Sequence, residues 1–184
     1  MYSYIKGTIT EIKAASITVE NHHIGYKLIT PNPFKFQKNE EMTVYLYQRV
    51  MDDKIILYGF KSRREKELFI KLISVSGIGP KSANAILASG SVDAISRAIE
   101  NGEHKYLQQF PGIGPKASQQ IVLDLKGKID IDSSKETSDS LAEVDEALSA
   151  LGYNKREIRR AMKHLDSDEK TDVLVKQALK NMLK

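Results

Sequence analysis

The stretch Val-Ser-Gly-Ile-Gly-Pro-Lys at residues 75–81 returns as Phe-Pro-Gly-Ile-Gly-Pro-Lys at residues 110–116. Each copy follows a segment rich in Leu and Ile and leads into a segment with helical spacing of apolar residues. Proline is favoured at the first position of a helix, because its missing N–H would have no intrahelical partner there. The repeated stretch therefore predicts, twice, a helix, a tight glycine turn and a second helix that begins at the proline.

The glycines and the lysine of each copy predict a phosphate-binding site. Glycine permits positive φ and removes the Cβ that would keep another molecule at a distance. Free N–H groups at the positive end of the following helix attract an anion, and the lysine adds a full charge. Turn geometry alone would tolerate Asn, Asp or Ser at several positions, so the repetition favours nucleic-acid binding over a purely structural turn. The predicted DNA-binding residues are Gly77, Gly79, Lys81, Gly112, Gly114 and Lys116.

The first 60 residues show the apolar–polar alternation that is typical of half-buried strands. The continuous run Ile55-Ile56-Leu57 predicts burial on more than one side. By themselves these residues predict a small antiparallel β domain. Its five predicted strands are Tyr4–Ile12, Ser16–Glu20, Ile24–Ile29, Met42–Tyr47 and Ile55–Phe60.

Residues 64–127 have helical apolar spacing instead. Between the two glycine turns, Ser91 is the expected N-cap of a helix over Val92–Ile99, and Gly102 is expected to end it. Neither half can bury its apolar face alone, so each is expected to pack on the other. The helical segments that flank the turns are Glu67–Ile73, Ala83–Leu87, Tyr106-Leu107 and Ala117–Leu125.

The remaining residues predict a linker and a small helical unit. Residues 129–140 are rich in Ser and Asp and have too few apolar groups to offset the entropy of ordering, which predicts a flexible linker. In residues 141–184, Gly152 marks a helix end, and Asn154 with Glu157 predicts a capping box. Helical stripes predict three short helices: Val144, Ala147, Leu148 and Leu151, then Ile158, Ala161, Met162 and Leu165, then Val173, Leu174, Ala178, Leu179 and Met182.

The glycine turns resemble the helix-hairpin-helix motif, which binds the DNA backbone without reading its sequence. In that family two hairpins pack as a pseudo-symmetric pair, and each grips one strand across the minor groove. The whole chain, with a β-rich region ending in Leu57-Tyr58-Gly59-Phe60, paired hairpins, a polar linker and a helical tail, resembles the RuvA family. This family provides the DNA-binding subunit of the bacterial Holliday junction branch-migration complex.

The resemblance implies a multidomain α+β fold. It implies a five-stranded OB-type β-barrel over residues 1–63, an all-α tandem helix-hairpin-helix domain over 64–128, the linker over 129–140 and a ubiquitin-associated-like three-helix bundle over 141–184. It also implies a homotetramer or, when two tetramers stack face to face, an octamer.

The implied function is structure-specific binding of Holliday (four-way) junction DNA without catalysis, in DNA recombination, DNA repair and the SOS response to DNA damage. The protein would hold the junction open and planar and recruit a hexameric ATPase, RuvB, to the third domain; a junction resolvase is a further expected partner. The region expected to bind the ATPase contains Leu148, Leu151, Gly152 and Tyr153.

An acidic pair, Asp52 and Asp53, lies between the last two predicted strands. From the residues alone a solvated turn is the favoured interpretation, because Asp is common in turns. The resemblance reverses this preference. In related subunits an acidic pair at this position meets its three copies at the centre of a four-fold tetramer, where the carboxylates would repel crossing phosphates.

Charge and composition agree with this assignment and exclude several others. Lys and Arg outnumber Asp and Glu by 9 to 6 in residues 1–63 and again in residues 64–128, whereas the ratio is 10 to 12 in residues 129–184. A basic excess in the first two segments fits DNA contact there. Cysteine is absent, which excludes disulfides, thiolate metal sites and a cysteine nucleophile. No apolar run or signal pattern predicts membrane insertion or export, so a cytoplasmic protein is expected.

No catalytic constellation is found, and neither a cofactor nor a metal is expected. The four histidines do not have zinc-site spacing, and there is no Walker-type phosphate loop. Two alternatives stay open: a lesion glycosylase or nuclease that uses the same hairpins, and an OB protein that binds single strands. Asp124 lies where some helix-hairpin-helix glycosylases keep a catalytic carboxylate, but a lone carboxylate on a helix favours a solvated charge. The second alternative would stack bases on aromatic side chains, for which Tyr45, Tyr47, Tyr58 and Phe60 are the candidates.

Overall fold

The computed structural model describes residues 1–129, 139–163, 165 and 171–182, without the side chains of residues 139–143 and 171. The chain divides into two compact units, Met1–Ile131 and Asp132–Lys184. Residues 130–138, which make up most of the predicted linker, lie outside the described residues.

The N-terminal strands form a closed barrel with the strand order β1-β2-β3-β5-β4. Neighbouring strands are antiparallel except β3 and β5, which meet in parallel where Ile29 pairs with Tyr58. A turn of 3₁₀ helix, Pro33–Lys35, lies between β3 and β4. The predicted OB-type barrel is confirmed. Its strands are β1 Tyr4–Lys13, β2 Ser16–Asn21, β3 Ile24–Ile29, β4 Glu41–Met51 and β5 Lys54–Phe60, and its buried interior contains Ile5, Ile9, Ile17, Val19, Leu28, Phe36, Val44 and Leu46.

The far end of the β4–β5 hairpin extends beyond the barrel core. Val50 pairs with Ile55 across this end, and their side chains are 67% and 62% exposed. The pairing of β4 with β1 stops at Tyr45, and β5 meets β3 only at Tyr58. The prediction that the run Ile55-Ile56-Leu57 is buried on more than one side is therefore wrong at Ile55, because no third strand flanks the hairpin there.

Five helices complete the first unit. The predicted caps are confirmed: Ser91 Oγ accepts a hydrogen bond from the Ala94 N–H at 3.2 Å, and Gly102 ends its helix with φ +71°. The first helix begins four residues before Glu67, because Ser62 Oγ accepts a hydrogen bond from the Glu65 N–H at 3.2 Å and so satisfies a donor of the first turn. The helices are α1 Arg63–Ser74, α2 Pro80–Ser89, α3 Val92–Asn101, α4 His104–Leu107 and α5 Pro115–Leu125.

One hydrophobic core joins the barrel to these helices. The ring of Phe69, on α1, is fully buried, and its centroid lies 4.8 Å from that of Phe60, 5.2 Å from that of Tyr58 and 5.5 Å from that of Tyr47. The same core contains residues from both helical halves, among them Leu72 and Leu107, so the expected packing of one half on the other is confirmed. The predicted domain boundary after residue 63 lies inside this compact unit and stays a prediction.

The described residues of the second unit form three helices, α6 Asp139–Ala150, α7 Lys155–Met162 and α8 Thr171–Met182. The predicted capping box is confirmed: Asn154 Oδ1 accepts a hydrogen bond from the Glu157 N–H at 3.0 Å, and Glu157 Oε2 accepts one from the Asn154 N–H at 3.0 Å. The buried core of this unit contains Val144, Leu148, Ile158, Ala161, Leu174 and Ala178.

The position of Phe69 generates a stability prediction. We expect Phe69→Ala to lower the free energy of unfolding by about 3–5 kcal/mol, because it removes a buried ring at the junction of barrel and helices. Phe34→Ala is the matched control, since Phe34 is 78% exposed, and it should change the free energy by less than about 0.5 kcal/mol. Urea unfolding followed by circular dichroism measures both. A loss below 1 kcal/mol for Phe69→Ala would contradict the shared core.

Candidate nucleic-acid interface

Two buried side chains anchor the first glycine turn to the hydrophobic core. Val75 and Ile78 are 2% and 5% exposed, and the Ile78 N–H donates a hydrogen bond to the Val75 carbonyl at 3.0 Å. Gly77 between them has φ +85°, and Gly79 caps α2, whose first residue is the proline. The two apolar anchors point into the core, so the two glycines face solvent.

The second turn repeats this arrangement. Phe110 and Ile113 are 5% and 4% exposed, the Ile113 N–H donates to the Phe110 carbonyl at 3.1 Å, and Gly112 has φ +81°. Gly114 caps α5, which also begins with its proline. The repeated sequence therefore forms a repeated structure, with buried apolar residues and exposed glycines at equivalent positions in both turns.

The two turns lie side by side. A Cβ placed on Gly112 would lie 3.9 Å from Oγ of Ser82, which is in the first turn of α2. Ser82 was not among the predicted site residues, although its place directly after Lys81 is a signal that a search for polar groups could have used. The six predicted residues, Gly77, Gly79, Lys81, Gly112, Gly114 and Lys116, are all exposed.

Hydrogen-bond donors at the turns are unused. Within the described part of the chain, the amides of Gly77, Gly79, Gly112 and Gly114 donate no hydrogen bond, and Lys81 and Lys116 form no ion pair. The first N–H groups of a helix lack intrahelical partners, and the helix dipole places partial positive charge there. The arrangement can bind two anions with unsatisfied N–H donors and a nearby lysine at each.

The fold requires glycine at only two of the four positions. Positive φ explains Gly77 and Gly112, since other residues rarely adopt it. Gly79 and Gly114 have φ of −91° and −90°, which any residue adopts, and a Cβ on either would meet no protein atom within 4 Å. Among the described residues no steric contact requires glycine at these positions, and the N-cap of a helix accepts Ser, Asn or Asp at least as well as Gly. The missing side chain leaves room for the close approach of an external ligand.

The acidic pair forms the two-residue turn of the β4–β5 hairpin. Met51 pairs with Lys54, so Asp52 and Asp53 form the tip, and both are exposed. Lys54 Nζ lies 3.8 Å from Asp53 Oδ2, but ion pairs between exposed side chains contribute little. The tip presents two solvated carboxylates.

The predicted partner-binding residues divide between core and surface. Leu148 is fully buried in the core of the second unit, whereas Leu151 and Tyr153 are 61% and 36% exposed. Gly152 has φ +91°, and its N–H donates a hydrogen bond to the Ser149 carbonyl at 3.0 Å. The turn between α6 and α7 thus exposes Leu151 and Tyr153 over a core that includes Leu148.

The structure argues against both alternative sites. Phe60 and Tyr58 are buried, and Tyr45 and Tyr47 pack partly buried against the same core as Phe69, so these rings offer no exposed stacking platform. Both carboxylate oxygens of Asp124 accept hydrogen bonds from Gln120 Nε2 at 2.9 Å. The open groove beside the second hairpin is lined by His104, Lys116, Gln119, Gln120, Val122 and Leu123, and not by Asp124. Among the described residues, no three His, Asp or Glu side chains cluster as metal ligands would.

A closed five-stranded barrel followed by two adjacent glycine hairpins defines a tandem helix-hairpin-helix protein with an N-terminal OB-type domain. Family sequence models agree along the chain: the RuvA N terminal domain matches residues 1–59, the SAM-like helix-hairpin-helix tandem residues 69–127 and the RuvA C-terminal domain residues 139–183. The chain belongs to the RuvA family.

Curated relatives match this chain over its whole length. It is 48% identical to the Holliday junction branch migration complex subunit RuvA of Acholeplasma laidlawii, and the alignment covers 100% of both chains. The proteins of the same name from Lactobacillus johnsonii and Oenococcus oeni are 46% and 43% identical, also over 100% of both chains. None of the helices in the described ranges has the length and apolar character needed to span a bilayer.

The two kinds of glycine generate a stability prediction. Gly77→Ala should lower the free energy of unfolding by about 1–2 kcal/mol, because alanine is strained at positive φ. Gly79→Ser is the matched control: its φ is ordinary, its Cβ position is open and Ser is a favoured N-cap residue, so the free energy should not fall. Chemical denaturation of both variants provides the comparison. Equal losses would mean that Gly79 serves the fold and not a ligand.

Proposed function

We propose that this protein binds four-way junction DNA through its paired glycine turns, without catalysis, and targets a hexameric ATPase of the RuvB type to the junction for branch migration. The observation that carries the proposal is the side-by-side pair of turns with unused amide donors and with two glycines that the fold does not require. The relatives are named as subunits of the Holliday junction branch migration complex, which supports the same assignment.

Each turn would hold one phosphate of the DNA backbone. Glycine amides and the first N–H groups of α2 or α5 donate to the phosphate oxygens, and Lys81 or Lys116 adds a charge. Phosphate contacts fix position but carry no base information, so binding is independent of sequence. Two neighbouring turns are suited to grip the two strands of one duplex arm.

The acidic turn would supply the preference for branched DNA. In a homotetramer, four copies of Asp52 and Asp53 would meet where the four strands exchange. Two unit charges about 4 Å apart repel by roughly 4 kcal/mol at an effective dielectric near 20. Carboxylates at the centre therefore disfavour phosphates that cross it and keep the junction open and planar, while the glycine turns attract the arms.

The motor would be a separate protein. The exposed turn with Leu151, Gly152 and Tyr153, supported from beneath by buried Leu148, is the proposed docking surface for the ATPase. A tetramer or octamer, a junction resolvase as a further partner and a cytoplasmic location belong to the same proposal. The proposed lack of catalytic activity is tested by incubating the protein with nicked, lesioned and branched DNA. Strand cleavage would favour a glycosylase or nuclease.

The proposed phosphate sites are tested by adding side chains to Gly79 and Gly114, the two glycines with ordinary φ. We expect Gly79→Val or Gly114→Val to weaken binding of linear and four-way DNA alike by about tenfold or more, since each loses charge-assisted hydrogen bonds. Fluorescence anisotropy with labelled DNA measures the affinities. Ala88→Val adds bulk at an exposed site on α2 and should bind normally. A folded Gly79→Val protein with unchanged affinity would refute phosphate binding at the first glycine turn.

The acidic turn is tested by neutralising it. The double variant Asp52→Asn with Asp53→Asn should bind DNA as tightly or more tightly, but its preference for four-way over linear DNA should fall. Gel-shift competition between the two DNA shapes gives the ratio. Asp145→Asn with Glu146→Gln removes the same charge from exposed positions on α6 and should leave the ratio unchanged. An unaltered ratio in the Asp52 and Asp53 variant would exclude the proposed role.

A further inference from the structure

Helix α7 concentrates the positive charge of the chain. Residues 155–163 contain five Lys and Arg residues and a single carboxylate, a net charge of +4, which equals that of the whole protein. The cations are Lys155, Arg156, Arg159, Arg160 and Lys163, and all of them are exposed. Residues 129–184 as a whole contain more Asp and Glu than Lys and Arg, so the positive charge of residues 155–163 is opposite in sign to that of the surrounding segment.

Three of these cations form one stripe. Arg156 and Arg160 lie in α7, and Lys163 follows as its C-cap with helical backbone angles (φ −57°, ψ −21°). The spacings of four and three residues therefore place all three on one face of a helix with 3.6 residues per turn. The buried residues Ile158 and Ala161 fall on the opposite face by the same periodicity. The stripe therefore faces away from the core of its unit.

Among the residues that the structure describes, no acidic side chain pairs with the stripe. Within the described residues, Arg156, Arg160 and Lys163 take part in no ion pair. The one carboxylate of the helix, that of Glu157, accepts a hydrogen bond from the Asn154 N–H at 3.0 Å and serves the cap. Lys155 and Arg159 make other interactions within the chain, and nothing here rests on them.

The chemistry of the stripe fits a polyanion better than a protein surface. Arginine is enriched in protein interfaces as well, but the centre of such an interface is apolar and aromatic. The exposed large apolar residues among the described part of this unit, Leu151, Tyr153 and Val173, lie on other elements or in the preceding turn. The stripe spans about 10 Å at 1.5 Å per residue. One DNA strand carries a charge about every 3.4 Å of helix axis, so a stripe aligned with that axis spans the rise of about three successive phosphates.

We propose that the Arg156–Arg160–Lys163 face of α7 binds the phosphate backbone of duplex DNA, as a second DNA contact that is separate from the glycine turns. The proposal rests on the proposed function only in taking DNA as the ligand. Because both units belong to one chain, a contact by the second unit adds to the affinity of the first through the raised effective concentration.

The test is the salt dependence of DNA binding by the full-length chain. Arg156→Gln with Arg160→Gln should weaken binding of a synthetic four-way junction about tenfold at 0.1 M salt and reduce the slope of log affinity against log salt by about 1.8, or about 0.9 for each lost phosphate contact. Lys176→Gln with Lys180→Gln removes the same charge from exposed positions on α8 and should leave the slope unchanged. Arg156→Lys with Arg160→Lys keeps the charge and should keep the slope.

The outcomes separate this proposal from the function proposed above. An unchanged slope in a folded Arg156→Gln, Arg160→Gln protein overturns the α7 contact but leaves the effects of Gly79→Val and Gly114→Val intact. An unchanged slope with weaker stimulation of the RuvB ATPase also overturns it and assigns the stripe to protein docking. Equal slope losses in the α7 and α8 variants would reveal a diffuse charge effect and overturn it as well. Circular dichroism confirms that each variant is folded.

Discussion

The anchoring of each glycine turn by buried neighbours is the constraint on which the rest of the site depends. Val75 and Ile78 in one turn, and Phe110 and Ile113 in the other, lie in the shared core. Because they are fixed, the glycines between and after them must face outward with their amides unsatisfied. These open donors are the ones to which the proposed phosphate would bind.

The shared core also gives the two turns a common support. Phe69 contacts aromatic rings from β4 and β5, and the same core extends to residues of both hairpins. The barrel, which carries the acidic turn, and the helices, which carry the glycine turns, therefore belong to one compact unit. The proposed function combines attraction at the arms with repulsion at the centre. It would need such fixed relative positions, because it would recognise the geometry of the DNA and not its base sequence.

Much of the local structure was predictable because its causes are local. The N-cap at Ser91, the helix end at Gly102 and the capping box at Asn154 depend on residues within one turn of each other, and all were confirmed. Two expectations needed correction or extension. The start of α1 depends on Ser62, a cap that lies outside the apolar pattern, and the exposure of Ile55 depends on which strands flank the hairpin.

The sequence by itself determined that the chain contains a repeated glycine turn, a β-rich region and a small helical tail, since repetition and periodicity are properties of the order of residues. It also predicted which residues would bind phosphate. Only the tertiary structure decided that the two turns are adjacent, with Gly112 beside Ser82, and that Leu148 is core while Leu151 is surface. Only the structure separated Gly77 and Gly112, which have positive φ, from Gly79 and Gly114, which have φ values that any residue adopts. Backbone angles and neighbouring atoms are defined only once the chain has folded.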